Sequence, residues 1–192
     1  MLGAELCFII DPVDGTSNFA AGVPLFGVML AAVHRGETIA EWIHDPMGDD
    51  TMIGLRGEGA WVATSGGTTQ DCRVARPVPV EAMLGAISWS YLPEKPKPEL
   101  LPRLAKLAGT MNFRCAAHEY RLAATGGLHA LLYNRLMPWD HSAGVLTHAE
   151  AGGFSAQFNG TSYSPRKHAG GLVCAPDRDG WQALREGLLG SV

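Results

Sequence analysis

Residues 8–19 read FIIDPVDGTSNF. An apolar run ends there on two aspartates three positions apart, Asp11 and Asp14, with Pro12, Gly15 and Thr16 around them. Asp-Pro and Asp-Gly are turn dipeptides, so a plain turn at a strand end is one reading. A metal site is the other. Mg²⁺ takes hard oxygen ligands in octahedral geometry. Two aspartates flanking a sharp turn can aim at one point, and the carbonyl of Val13 between them can join. Pro12 stiffens such a turn, and Gly15 lets the backbone approach a ligand. The N–H groups of Gly15 and Thr16 are then placed to hold an anion beside the cation.

The surrounding sequence suits a folded chain able to bury a core. It has 192 residues, 46% hydrophobic and 18% charged, with net charge −4. That balance, without a basic run, excludes a general nucleic-acid or membrane-surface binder. Cys7, Cys72, Cys115 and Cys174 are scattered. Their spacing suggests neither a zinc site nor a disulfide framework, and free thiols in a cytoplasmic protein are expected. The apolar stretch 19–33, FAAGVPLFGVMLAAV, is broken by Gly22, Pro24 and Gly27 and is too short to span a membrane.

Apolar runs at LCFII, LFGVMLAAV, TIAEWIH, TMIGL and AWVA, separated by short turns, predict an antiparallel meander. A polar, Pro-rich stretch places a boundary near residue 82, giving parts 1–82 and 83–192. The second part alternates: strand at 85–91, helix at 98–108, short strand at MNFRC, helix at HEYRLAATG, strand at HALLYN, helix from Trp139, strand at GGLVCAP and a last helix. That is an α/β pattern.

Residues 139–153, WDHSAGVLTHAEAGG, put Asp140 at the first turn of an amphipathic helix. Trp139, Ala143, Leu146 and Ala149 are expected on its buried face. Alone, Asp140 reads as a helix N-terminal cap or dipole partner.

Together the two stretches resemble the inositol monophosphatase family, within the Mg²⁺-dependent, lithium-sensitive phosphatases that include fructose-1,6-bisphosphatase. DPVDGTSNF matches its DPxDGTxNF signature and WDHSAGVLTHAEAGG its WDxxAGxxxxxEAGG signature at every fixed position. Between them, HDPMGDDTMIGLRGEGAW resembles the family's hairpin. The resemblance implies a layered αβαβα sandwich. It implies metal ligands at Asp11, the Val13 carbonyl, Asp14 and Asp140, phosphate-binding backbone at Gly15 and Thr16, and a catalytic Thr16 hydroxyl. It implies two or three Mg²⁺ ions, inhibition by Li⁺, a homodimer, and hydrolysis of a small phosphate ester by direct attack of metal-activated water. A polyol or sugar phosphate is the expected substrate class. Fructose-1,6-bisphosphate, histidinol phosphate and a nucleotide 3′-phosphate remain alternatives.

Two departures accompany the match. Family members carry a segment before the DPxDGT strand, with a glutamate that ligates the first metal and pairs with the threonine. This chain opens almost at the strand, and Glu5 is too near Asp11 to be that residue. The sequence is then a fragment, starts from a late Met in a longer reading frame, or belongs to a protein that has lost part of its site. The enzyme is the expected reading, because three unpaired acids repel without a cation, with an impaired or inactive remnant kept for binding or oligomerisation as the alternative. Second, where inositol phosphatases place an acid before the WD signature, this chain has Tyr133, Asn134 and Arg135. Arg114, His118, Glu119 and Arg121 are further candidates to reach the pocket. His141 and His148 read as structural, Asp49 and Asp50 as solvated turn residues.

Overall fold

The computed structural model describes residues 4–89 and 97–190. The meander is there: β1 (Leu6–Asp14), β2 (Gly27–His34), β3 (Glu37–Asp45), β4 (Asp50–Leu55), β5 (Gly59–Thr64) and the unanticipated β6 (Thr69–Asp71). They form one antiparallel sheet in sequence order. From β2 onward, adjacent strands are joined by tight connections, whereas β1 and β2 are joined by residues 15–26. Between β2 and β3, Arg35 and Gly36 both take positive φ, which suits the right-handed twist of a two-residue hairpin.

The second sheet has the order β10-β11-β9-β7-β8. Its strands are β7 (Leu84–Ile87), β8 (Gly109–Met111), β9 (Ala130–Tyr133), β10 (Phe154–Gln157) and β11 (Leu172–Ala175). β7 runs parallel to β8 and β9, whereas β11 is antiparallel to β9 and β10. β9 and β11 are buried throughout, as central strands covered on both faces must be. Their alternate residues serve two cores. Leu131, Tyr133, Leu172 and Cys174 face one, with α3 (Ala116–Ala124), α4 (Pro138–Glu150) and the first sheet. Ala130, Leu132, Val173 and Ala175 face the other, with α2 (Lys97–Leu104) and α5 (Arg178–Leu184). The described layers therefore run sheet, helices, sheet, helices. On the outer face of the first sheet Leu6, Phe8 and Ile10 are half exposed or more.

Several local expectations change. The helix predicted over 98–108 ends at Leu104, with Pro102 in its last turn, and the short strand lies at 109–111 rather than at MNFRC. The strand predicted over 85–91 ends at Ile87, and positions 90 and 91 lie outside the described residues. On α4, Trp139 and Ala149 are exposed, so the buried face runs through His141, Ser142, Ala143, Leu146, Thr147 and His148. Three of these polar side chains can be buried because each finds a partner inside. His141 bonds Tyr120 Oη and the Arg135 carbonyl, Ser142 the Tyr163 hydroxyl, and His148 the Ser155 hydroxyl. Burial drives both imidazoles down to about 4, so they sit neutral in the core.

Candidate metal centre

The two aspartates do not flank a turn. Both lie on β1, which runs unbroken to Asp14. Side chains three apart on a regular strand point to opposite faces. Here the ladder pairs Asp11 with Met29 but Asp14 with Gly27, so three steps on β1 match two on β2. That extra residue is a bulge, and it re-aims the strand end. Asp140 arrives from the first turn of α4, which Pro138 starts. Carboxylate oxygens of Asp11, Asp14 and Asp140 lie within 4.8 Å of one another, a potential metal-binding group.

Asp11 Oδ1 accepts the Val13 N–H at 3.0 Å. Asp14 is buried, and its Oδ2 accepts the Ala117 N–H at 2.6 Å and lies 3.1 Å from Cys115 Sγ. Burial raises the Asp14 pKa and nearby Asp11 adds to it, against these donors. Asp140 is pushed up to about 7, by burial first and then by Asp14 and Asp11. Like charges crowded in a low-dielectric site disfavour ionisation. A divalent cation among them reverses that balance, and an all-oxygen donor set suits Mg²⁺.

The chain turns sharply only after Asp14. Gly15 has φ +81°, and a β-carbon there would sit 2.9 Å from the Leu25 carbonyl, so glycine is required twice over. A short helix, α1 (Thr16–Ala20), follows at once. Thr16 Oγ1 donates to the Val13 carbonyl at 2.8 Å. Asn18 is buried and its amide donates to the Leu25 and Phe113 carbonyls, tying the loop to the α3 side. The signature stretch thus includes one residue, Asn18, whose side chain is spent on architecture.

The acids open into a cavity of about 450 Å³. Gly15 and Thr16 line it beside the carboxylates, and Tyr133, Asn134 and Arg135 line it too. The Asn134 amide donates to the Ser88 carbonyl. Of the four further candidates, Arg114 and Glu119 reach the cavity. His118 instead bonds the Phe26 carbonyl, and Arg121 pairs with Asp50 and Asp45. Asp50 is therefore not a solvated turn residue, while Asp49 accepts from Ser65 Oγ. Glu119 is 3% exposed and accepts the Phe113 N–H. Burial lifts its carboxyl to about 7, opposed by Tyr133 and that N–H. Cys115 and Ala117 are the residues sequence reasoning missed at this site, since neither type announces a role as a carboxylate's support.

The family pattern described as the inositol monophosphatase family matches residues 1–192. The chain belongs to this family. It is 32% identical over 183 residues to the Nus factor SuhB of Vibrio cholerae serotype O1, covering 91% of this chain and 64% of that protein. It is 30% identical over 157 residues to an inositol-1-monophosphatase of Mesorhizobium japonicum, covering 80% and 57%. The chain thus spans less than two thirds of the length of these relatives. The fold superposes on the extragenic suppressor protein suhB of Bartonella henselae with a TM-score of 0.86 and 27% identity, covering all of this chain and 73% of that one. An inositol monophosphatase from Zymomonas mobilis shares the fold alone, with a TM-score of 0.86 at 19% identity. Among the described residues no helix is long and apolar enough to cross a membrane.

Proposed function

We propose that the acidic cluster is the Mg²⁺ site of a phosphomonoesterase acting on a small polyol or sugar phosphate. The observation that carries this reading is the convergence of Asp11, Asp14 and Asp140, two from a bulged strand end and one from a helix start. Mg²⁺ bound there supplies a Lewis acid for the phosphate and makes a bound water more acidic. Asp11, Asp14, Asp140 and the Val13 carbonyl hold the cation. The first-turn N–H groups of α1 have no intrahelical acceptors, so Gly15 and Thr16 offer donors to phosphate oxygens. With its proton committed to the Val13 carbonyl, Thr16 Oγ1 presents lone pairs toward the cavity and can accept a hydrogen bond that orients a water there. Arg114 and Arg135 bring positive charge to an otherwise acidic wall, which favours an anionic substrate. Tyr133 and Asn134 line the same space, but the Tyr133 hydroxyl and Asn134 Oδ1 are buried and the Asn134 amide is held by the Ser88 carbonyl, so substrate hydroxyls meet chiefly the arginines and the acids.

The test is phosphate release from inositol-1-phosphate and from fructose-1,6-bisphosphate, with and without Mg²⁺. The expected result is release that needs Mg²⁺, slows with Li⁺, and is lost in both Asp14→Asn and Asp140→Asn. Undiminished release in Asp140→Asn overturns the reading. The 32% identity to a Nus factor supports a second reading, a binding role in which the cluster is kept without turnover. Full Mg²⁺ binding with no release from either ester would favour it.

A further inference from the structure

A second cavity, of about 630 Å³, lies between the β2–β3 turn, the length of α4 and the 162–166 loop. Its arginine end is remote from the acids, while Ser142 and Tyr163 at the other end lie toward Asp140. Asp14 pairs with Gly27 at one end of the β1–β2 ladder and Leu6 pairs with His34 at the other. The regular strand β2 takes seven steps between those ends, roughly 23 Å at ~3.3 Å each. We propose that this cavity is a second anion site, for a small phosphorylated molecule bound without metal.

Three arginines line it: Arg35, Arg56 and Arg166. Arg166 lies flat against the hairpin turn. A β-carbon on Gly36 would sit 2.6 Å from its Nε, and φ at Gly36 is +92°, so a side chain there is disfavoured and the guanidinium keeps its seat. Among the described residues that guanidinium has no hydrogen-bond or ion-pair partner. Arg56 spends Nε on the Thr38 carbonyl at 2.7 Å, which fixes the side chain and leaves its terminal nitrogens open. Arg35 is the one matched by an acid, Glu5 at 2.7 Å. Two glutamates share the lining. Glu150 has committed its oxygens to the N–H groups of Gly57 and Gly59, at 2.9 and 3.0 Å, and Glu37 is exposed. The hydroxyls of Ser162 and Ser164 add donors on the loop side. Guanidinium forks suit the paired oxygens of phosphate, and the volume suits a nucleotide-sized ligand. The site is independent of the phosphatase reading, because it uses none of the three aspartates.

The test is calorimetric titration of the whole chain with pyrophosphate and with ATP, in EDTA so that no metal is present. Saturable binding is expected for at least one of them. It should weaken at least tenfold, ~1.4 kcal/mol, in the Arg56→Gln/Arg166→Gln variant and persist in Asp140→Asn. Arg166→Lys, which keeps the charge, should fall between. Thermal unfolding of each variant confirms that it is folded. Absence of saturable binding overturns the proposal. So does binding that survives the double substitution, or binding lost instead in Asp140→Asn, which would place the anion among the acids.

Discussion

Cys115 Sγ lies 3.1 Å from Asp14 Oδ2, and the Ala117 N–H reaches the same oxygen at 2.6 Å. A thiol and a backbone amide from the start of α3 therefore hold a carboxylate that ends β1. Burial, then Asp14, pushes the Cys115 thiol far above its usual range, so it stays protonated and acts as a donor. Cys115→Ser should preserve this support. Cys115→Ala should leave the fold intact and weaken Mg²⁺ binding by about 10–100-fold, the usual cost of losing a partner of a ligating group. Calorimetric Mg²⁺ titration of the two variants measures this. Equal affinities would show that the amide alone orients Asp14.

Metal binding at this site should depend on pH. Asp140 titrates at about 7 in the metal-free protein, and its protonated form is a poor ligand. Mg²⁺ affinity should rise up to about tenfold per pH unit below 7 and level off above it, with proton release on binding. The same shift acts on folding. A carboxyl raised in the folded state adds stability at low pH and loses it between its unfolded value, near 3.8, and about 7. The metal-free protein should therefore melt lower at pH 7.5 than at pH 5.5, and Mg²⁺ should narrow the gap. A pH-independent Mg²⁺ affinity would contradict the crowding of the acids.

Glu41 is a separate liability. It sits on β3 with no exposure, and among the described residues neither carboxylate oxygen has a partner. It fills the space left by its ladder neighbour, Gly54, where a β-carbon would come within 2.8 Å of Glu41 Oε1. Burial raises its pKa well above 4.5, so it is carried protonated, and its stabilising share declines as pH rises above 4.5. Glu41→Leu should raise stability by ~1–3 kcal/mol, the cost of an unsatisfied buried polar group. Urea unfolding at pH 5 and pH 8 should show a larger gain at pH 8. A loss of stability at both would mean that the carboxyl has a partner in solution.

Gly144 in the second signature reads as part of a chemical motif, but its role is packing. α4 crosses α3 there, and a methyl group at position 144 would overlap the ring of Tyr120, which is fully buried. Gly144→Ala should cost ~1–3 kcal/mol from overpacking. Because His141 and Asp140 ride on the same turn, Mg²⁺ affinity should fall with it. Denaturant midpoints and metal titration together test this, and an unchanged midpoint would show that Tyr120 moves freely.

Much of the candidate site was legible in the residues alone. Asp11, Asp14, Gly15, Thr16 and Asp140 stand out because their residue types and short-range spacing are set by local geometry, and periodicity marked most strands and helices for the same reason. Tertiary structure alone decided that Asp140 meets the other two, since that contact joins residues far apart in the chain. It also decided that β1 continues to Asp14 through a bulge, which depends on pairing with β2 rather than on β1's own residues. Arg121 could not be read as an anchor for Asp50, nor Cys115 as a support for Asp14, from their neighbours in sequence. His141 and His148 took the buried face of α4 because partners on other elements satisfy them, and such partners exist only once the layers have packed.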